Sequence, residues 1–442
     1  MRALKALILL SAAAVCAAAE TRLEVIAPSN VFAGSKLRAK VIVRMDAAPV
    51  SFSHLYVEQM PAGVAMSYAH LAPLHRCAKD GRSFVYNVQP GSAFLVEVEA
   101  GAEPGRREAV IAMRLQPSAG GGVATAPGEA VELRIPYRAV SLRGALPPLD
   151  ITRWESLAVS LGRKWCDGRT YGFGNESEVW YYDGARVYFQ LADWTGDKSW
   201  EACAFAIAAQ YRDNLLSRNG GIQGWRVFPH GLVMAYERSG DDSYRQAALL
   251  MARNSTFAAR AGDPNDEYIR ETAYMVQAWI AAERLGEPRR PELARAVDYL
   301  LGHFDRLFVT GSFRLHQTFF DGLAAEALIA WYEHSGDPRV VPAVRSMLDW
   351  LWEHGWDSEA GRMVYNPEPP GARCPNSCQS YGRRWLNLIL PAYGWYWAVT
   401  GDREYIRRGD ELWGWALEDE ISWSGKEYSQ NYRWSFDYLR WR

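Results

Sequence analysis

The sequence predicts two domains, a small β-sandwich followed by an array of paired α-helices, with an export signal in front of both. Three observations support this fold class. Short alternating runs fill the first part of the chain, similar Gly-containing turns recur through the rest, and all 19 Trp residues lie from Trp154 onward. At 442 residues, of which 49% are hydrophobic, the chain is long enough for two domains with a sizeable core.

The N-terminal segment, residues 1–19, predicts a secretory signal peptide. Arg2 and Lys5 precede an apolar run over residues 6–14, and a following stretch of alanines permits cleavage before Glu20. The run is too short to span a bilayer, and no later segment is long and apolar enough to do so. We therefore expect an exported protein, periplasmic or extracellular, without a membrane span after signal removal.

Cysteine spacing fits an oxidising compartment. Cys16 lies inside the predicted signal, and the bulky Val15 before it disfavours lipidation. Five cysteines remain after cleavage, namely Cys77, Cys166, Cys203, Cys374 and Cys378. An odd number leaves at least one thiol without an intrachain partner. We expect Cys374 and Cys378 to close a small disulfide loop rather than hold a metal, because no second Cys or His pair is near in sequence. A Cys166–Cys203 bridge is a weaker candidate.

Residues 20–146 predict a β-sandwich of immunoglobulin-like type. Runs of alternating or β-branched residues, such as 37–43, are separated by Gly and Pro clusters such as 116–128. Period-two alternation interrupted by frequent turns is typical of that fold. The prolines at 147–148 then form a linker to a second domain, residues 150–442.

Five similar turns divide the second domain. They are Thr195-Gly196-Asp197, Ser239-Gly240-Asp241, Leu285-Gly286-Glu287, Ser335-Gly336-Asp337 and Thr400-Gly401-Asp402, at spacings of roughly 44 to 65 residues. The Gly adopts the left-handed conformation that ends one helix. The acid that follows accepts from free N–H groups at the start of the next helix. A two-helix repeat of this length predicts an array of helical hairpins.

The hairpins can be assigned from amphipathic runs on either side of each turn. We pair residues 179–194 with 200–216, 227–238 with 244–259, 267–285 with 291–307, 319–334 with 340–354, and 384–399 with 405–421. The helix-like segments 152–162 and 426–441 remain at the two ends. Together they would form a sixth hairpin and close a ring, and an open solenoid is the alternative.

This pattern resembles the six-hairpin glycosidase-like (α/α)6 toroids over about residues 150–442. The resemblance rests on the repeated T/S-G-D turn between an aromatic-rich helix and a second helix. It implies an (α/α)6 toroid acting on an oligo- or polysaccharide. Such toroids include glycoside hydrolases, polysaccharide lyases and sugar epimerases, and fold alone does not choose among them. We find no diagnostic catalytic motif of any one of these families in the sequence.

The resemblance also implies that the first helix of each hairpin is an inner helix and that its N-terminal end faces the open side of the ring. Counting fifteen residues back from each turn Gly places Glu271 and Asp321 at one depth on neighbouring inner helices. A carboxylate pair of this kind is what glycoside hydrolysis needs, one to protonate the leaving oxygen and one to activate water or attack the sugar carbon. The alternative is that both acids are structural and pair with Arg270 or Arg314.

Two further acids are candidate catalytic residues. Asp183 follows an aromatic cluster that begins at Trp180, and Glu267 lies just before the third inner helix. Acids in a first helical turn are also favourable partners for the helix dipole, which is the structural alternative for each of them.

A lyase would use other groups, because it must neutralise a uronate, remove a proton and protonate the leaving oxygen. The residues that could do this, and that also form part of the predicted substrate site, are Tyr181, Arg226, His230, Arg270 and His316. The aromatic residues predicted to stack on sugar rings are Trp180, Trp225, Trp385, Tyr432 and Trp434. The alternative is that these rings fill the toroid core. A third possibility is a non-catalytic glycan-binding or scaffold protein.

Neither the composition nor the residue spacing predicts a nucleic-acid, metal or cofactor partner. The net charge of −2 gives no electrostatic basis for nucleic-acid binding. No His or carboxylate spacing predicts a metal site, and we predict no cofactor. The sequence does not specify the oligomeric state.

Overall fold

The computed structural model describes residues 21–26, 30–32, 36–45, 53–59, 61–68, 75–76, 83–88, 93–101, 105–117, 129–140, 146–166, 174–263, 268–312, 317–366, 381–416 and 424–442. The predicted signal peptide, the Cys374–Cys378 loop, Glu267 and His316 lie outside these residues. The chain divides into two compact units, one within Met1–Ala27, Leu37–Glu99 and Arg107–Pro136, the other within Pro28–Lys36, Ala100–Arg106 and Tyr137–Arg442.

The described residues of the N-terminal part form ten strands. These are β1 (Thr21–Ile26), β2 (Asn30–Phe32), β3 (Lys36–Met45), β4 (Ser53–Gln59), β5 (Val64–Tyr68), β6 (His75–Arg76), β7 (Ser83–Val88), β8 (Ala93–Glu99), β9 (Gly105–Pro117) and β10 (Glu129–Val140). They form two sheets, in the orders β1-β3-β8-β5 and β2-β10-β9-β4-β7-β6. β1 pairs antiparallel with β3, whereas β2 pairs parallel with the end of β10.

Alternation sets the buried face of these strands. On β10, Leu133 and Ile135 are buried while Glu132 and Arg134 are exposed, as expected when successive side chains point to opposite faces. Arg134 also donates 2.9 Å to Glu108 on β9. The strand prediction therefore agrees with the structure, and the immunoglobulin-like assignment stays a prediction.

The second unit is mostly helical. Its helices are α1 (Thr152–Trp165), α2 (Gly184–Thr195), α3 (Ser199–Ser217), α4 (His230–Ser239), α5 (Asp242–Asn254), α6 (Ile269–Arg284), α7 (Pro291–Phe304), α8 (Thr318–Ser335), α9 (Val340–Trp350), α10 (Leu390–Thr400), α11 (Arg403–Trp415), α12 (Gly425–Tyr432) and α13 (Ser435–Trp441). A small antiparallel sheet of β11 (Trp356–Asp357), β12 (Arg362–Val364) and β13 (Tyr381–Gly382) precedes α10.

Four of the five predicted turns between helices are confirmed. Gly196, Gly240, Gly336 and Gly401 all have φ between 70° and 75° and end their helices in the left-handed conformation. The Asp241 and Asp402 side chains accept from backbone N–H groups two residues later. Both parts of the turn therefore act as the sequence pattern indicates.

The helical hairpins are consistent with a toroid. Neighbouring inner helices contact each other as α2 with α4, α6 with α8, and α8 with α10, and α10 also contacts α13. The C-terminal α12 contacts both α1 and α2. Tyr428 and Tyr432 donate 3.0 and 2.9 Å to the carbonyls of Ala158 and Trp154 on α1. The two ends of the helical part thus meet, as a closed ring requires.

A disulfide joins Cys166, next to the end of α1, to Cys203 on α3. The sequence analysis gave this pair as the weaker candidate. The favoured Cys374–Cys378 loop lies outside the described residues. Within the described part of the chain, no helix combines the length and apolar character needed to cross a bilayer.

Candidate functional site

The inner helices α2, α4, α6, α8 and α10 begin at one end of the helical ring. A connected cluster of side chains lies there, and we call it the mouth: Glu176, Tyr181, Trp225, Arg226, Arg270, Glu271 and Lys426. The loop before α2, the short helical turn Gly224–Arg226, and the first turns of α6 and α12 supply them. The mouth therefore contains four of the predicted binding residues beside Glu271.

Glu176 connects two segments of the mouth. Its Oε1 accepts 2.8 Å hydrogen bonds from Trp225 Nε1 and from Arg226 Nε. Burial alone would raise the pKa of Glu176, but these hydrogen bonds and the charges of Arg226 and Lys426 lower it. Glu176 is therefore held as an ionised carboxylate, and the indole of Trp225 is fixed while 37% of that residue stays exposed.

Tyr181 lies between the acids and cations of the mouth. Burial raises its pKa, Tyr182, Glu176 and Glu271 raise it further, and Arg270 lowers it, so all of these groups lie within electrostatic range of its phenol. The ammonium of Lys426 lies 5.3 Å from the Tyr181 ring centroid. Tyr181 itself is only 3% exposed, so it is a buried phenol at the inner edge of the mouth.

One carboxylate oxygen of Glu271 is bound by Arg270 and the other is not. Arg270 donates to its Oε1 through Nε at 3.0 Å and again through Nη2. Its second oxygen, Oε2, is buried and has no hydrogen-bond partner among the described residues. The bound arginine agrees with the structural alternative from the sequence, while Oε2 is left able to accept a further hydrogen bond.

Asp321, on α8, lies close to a histidine of the outer helix α7. It is fully buried, and its Oδ1 lies 3.9 Å from His303 Nε2 on the outer helix α7. On the same helix, Glu326 points to the ring centre, and five residues turn a helix by about 140°. The predicted Glu271–Asp321 pair stays a prediction, because these contacts do not bear on the separation of the two carboxylates.

Asp183 is a capping residue. Its carboxylate accepts from the backbone N–H of Arg186 in α2 at 3.4 Å, and both oxygens lie 3.1 Å from the N–H of Gly231 in α4. Burial raises its pKa in spite of the nearby Arg186 and Arg433. Only 4% of Asp183 is exposed, and its carboxylate connects the starts of the two inner helices α2 and α4.

The backbone is strained immediately before α2. Tyr182 and Asp183 both have left-handed conformations, with φ of 63° and 65°. Such conformations cost free energy for non-Gly residues and often occur at functional sites. Gly184 makes the corner possible, because a Cβ there would lie 2.0 Å from the carbonyl oxygen of Val179.

Paired charges occupy the ring centre. Arg186 and Arg433 each donate 2.7 Å to a different oxygen of Glu326, and Arg186 also donates 2.9 Å to Asp437. Burial would raise the pKa of Glu326, but the two guanidinium groups lower it to about 2. Arg433 is only 1% exposed, so side chains fill the ring at this depth.

His230 is held neutral beside this centre. Burial and the charges of Arg186 and Arg433 lower its pKa to about 3. Gln277 Oε1 accepts 3.4 Å from Arg433 and lies 3.0 Å from His230 Nε2. A guanidinium only donates, so Gln277 presents its oxygen there and His230 Nε2 carries the proton. The other ring nitrogen, Nδ1, is left as a proton acceptor.

The predicted aromatic set divides into one mouth residue and four core residues. Trp225 is exposed, whereas Trp180, Trp385, Tyr432 and Trp434 are between 0% and 4% exposed. Trp180 stacks against Tyr211 at 6.3 Å, and Tyr432 packs 5.5 Å from Trp154. For these four the core alternative is correct, since their faces are covered by other rings and helices.

Sequence reasoning missed several site residues. Glu326, Gln277 and Arg433 form the centre, and Lys426 belongs to the mouth. A single carboxylate in the apolar run of α8 and a single amide in the apolar run of α6 were the available signals, because buried polar groups need partners. Nothing in the sequence indicated that Arg433 in the C-terminal segment is the partner of both.

Comparison with known proteins adds little. No protein-family model matches the sequence, and no curated protein matches it. Among solved structures, a family 76 glycoside hydrolase from a bovine Bacteroides thetaiotaomicron strain aligns with a TM-score of 0.31 and 11% identity, covering 90% of this chain and 78% of that one. A conjugative transposon lipoprotein from Bacteroides eggerthii aligns with a TM-score of 0.18 and 13% identity, covering 26% of this chain and 95% of that one. Similarities this low identify neither a family nor an activity.

Proposed function

We propose that this chain is an exported carbohydrate-active protein that binds an oligo- or polysaccharide at the mouth and hydrolyses it. The supporting observation is that two carboxylates, Glu176 and Glu271, lie around Tyr181 next to the exposed indole of Trp225. Aromatic faces stack on the apolar faces of sugar rings, and charged side chains hydrogen-bond to sugar hydroxyls. The proposal retains the predicted immunoglobulin-like assignment for the N-terminal strands.

The two carboxylates would have different roles. Hydrolysis adds water across a glycosidic bond, with one acid protonating the leaving oxygen and one carboxylate activating water or attacking the sugar carbon. Trp225 and Arg226 hold Glu176 ionised, and an ionised carboxylate can activate water or attack the sugar carbon. We assign Glu271 to the leaving oxygen, because its Oε2 has no hydrogen-bond partner among the described residues and is available to that oxygen. Glu267, next to this helix, stays a candidate outside the described residues.

Export is supported by two features. Residues 1–19 have the composition of a signal peptide. The Cys166–Cys203 bridge is of a kind that persists in oxidising compartments.

A lyase is the second candidate, and the cations at the mouth favour it. A lyase needs a base to remove a proton next to a uronate carboxylate and cations to neutralise that carboxylate. The low pKa of His230 keeps the ring unprotonated, and Arg226, Arg270 and Lys426 supply positive charge at the mouth. In this reading the substrate is an acidic glycan rather than a neutral one.

One screen separates the candidates. Purified mature protein is incubated with neutral and acidic polysaccharides while new reducing ends and the ultraviolet absorbance of unsaturated uronates are both recorded. New reducing ends without absorbance support hydrolysis, and both signals together support elimination. Retention of polysaccharide without either signal would indicate a binding protein that is not an enzyme. The absence of both binding and product would contradict the proposal.

Variants then test the assignment of residues. Glu176→Gln and Glu271→Gln should each reduce kcat by at least about 100-fold, the scale of a lost acid or base. Glu178→Gln is the matched control, because it changes a carboxylate on the same loop that hydrogen-bonds only to Asn175 in the described structure. Trp225→Ala should raise KM, and Trp225→Phe should retain part of the binding because it keeps an aromatic face.

A further inference from the structure

A second candidate binding surface lies on the outside of the helical ring. A groove of about 670 Å³ runs between α1 and the last turn of α2. We call it the groove. On one side it is lined by Thr152, Glu155, Ser156, Val159 and Ser160, and on the other by Trp194 and Thr195.

The groove is built by one stripe of α1. Positions 152, 156 and 160 are four residues apart and so lie above one another on the same helix face. All three carry small hydroxyl side chains and are exposed. A stripe of larger residues here would fill the space against α2, so the small side chains are what keep it open.

Trp194 forms a fixed aromatic wall. Its Nε1 donates 2.8 Å to Glu155 Oε1 across the groove. Its ring packs edge-on against Trp154 at 5.3 Å, yet 38% of the residue is exposed. A ring held in this way loses little conformational entropy when a ligand stacks on it.

The groove is separate from the mouth. Trp194 lies in the last turn of α2, whereas the mouth lies where α2 begins, and a helix of this length spans about 18 Å. Trp225 in the mouth and Trp194 in the groove therefore cannot contact the same sugar residue.

We propose that the groove binds a segment of neutral polysaccharide, an inference that rests on the proposed function of the mouth. Hydroxyl groups and one indole suit a polyhydroxylated chain, and no Lys or Arg is among the described residues that line the groove. Its one carboxylate, Glu155, would repel an acidic glycan. A protein partner fits less well, because protein interfaces are depleted in Ser and have apolar centres.

The consequence is a preference for long chains. A polymer can occupy the groove and the mouth together, so the second contact forms at high effective concentration. A short oligosaccharide reaches only one of them. The groove thus raises affinity for polymer and leaves the reaction of short substrates unchanged.

Affinity electrophoresis in gels containing neutral glucan, xylan, mannan or acidic polygalacturonate tests this. The groove is measured in a Trp225→Ala background, which removes the stacking surface of the mouth. At least one neutral polysaccharide should retard this protein, and adding Trp194→Ala should weaken that binding about three- to tenfold.

A second variant covers the possibility that Trp194→Ala disturbs folding. Ser156→Phe fills the groove without touching the packing of Trp194 on Trp154, and it should weaken binding similarly. Ser217→Phe, at an exposed position at the end of α3, is the matched control and should bind as the parent does.

The outcomes separate the two proposals. Unchanged retardation of both groove variants, retardation by polygalacturonate alone, or none by any neutral polysaccharide overturns the groove site. If that happens while the screen still detects product that depends on Glu176 and Glu271, the mouth proposal stands. If retardation depends on Trp194 while no polysaccharide yields product, the groove stands and the hydrolase fails.

Discussion

Arg433 and Glu326, 107 residues apart in the sequence, share a 2.7 Å hydrogen bond at the centre of the helical ring. Arg186 binds the other oxygen of the same carboxylate. One acid thus connects α2, α8 and the segment between α12 and α13. Removing it would leave two buried cations facing each other.

Glu326→Gln should therefore strongly destabilise the protein. Breaking a buried ion pair by removing one partner costs about 3–5 kcal/mol, because the remaining charge stays desolvated. Denaturant unfolding of the variant would measure this. Glu353→Gln, at an exposed position, should change the unfolding free energy by less than about 0.5 kcal/mol. Equal effects of the two variants would contradict the role given to Glu326.

Stability should fall in acid through Glu283. Burial would raise the pKa of this carboxyl, but hydrogen bonds and charges from His334 and Arg289 lower it to about 2. A folded-state pKa below the unfolded value stabilises the protein above about pH 4.5, and that stabilisation is lost as pH falls towards 2. Wild type should exceed Glu283→Gln by on the order of 2 kcal/mol at pH 7.

Unfolding measured from neutral pH down to about pH 2 checks this, since the difference between the two proteins should shrink over that window. A difference that stays constant across the window would show that Glu283 is not the titrating group.

Reducing the disulfide should lower the melting temperature. The bridge closes a loop of 37 residues between Cys166 and Cys203, for which chain entropy gives about 3–4 kcal/mol. The double variant Cys166→Ser/Cys203→Ser should melt at the same temperature with and without reductant. Cys77→Ser should keep the sensitivity of the wild type to reductant, and a wild type insensitive to reductant would contradict the bridge.

His230 should not titrate near neutrality. With its pKa held at about 3, its ring signals in NMR should stay constant between about pH 5 and 8. Comparison with His230→Asn assigns those signals. Gln277→Glu should raise the pKa of His230, because it places a negative charge 3.0 Å from Nε2. A wild-type midpoint near about 6.5 would remove the neutral-base interpretation.

The corner before α2 should tolerate no Cβ at position 184. Gly184→Ala would place that atom 2.0 Å from a backbone oxygen, so the chain must shift and stability should fall by about 2 kcal/mol or more. Gly174→Ala is the control, since an added Cβ there meets nothing within 4 Å. Thermal melting compares the two, and similar melting temperatures would show that the corner relaxes without cost.

Helix ends and the buried faces of strands could be predicted from the sequence, because each depends on residues close together in the chain. The turn at Gly240 and Asp241 formed as its sequence indicates, since a left-handed Gly and a capping Asp act over a few positions. The same holds for the alternation of Leu133 and Ile135 on β10. Mouth residues such as Trp225 and Arg270 were found because they lie near the start of inner helices.

What the sequence by itself determined is therefore the order of strands and helices and the turns between paired helices. Only the tertiary structure decided which acids meet. Asp321 faces His303 on α7, and Glu326 meets Arg186 and Arg433, because helix rotation and ring closure set those contacts. These depend on residues far apart in the chain, which no local pattern encodes.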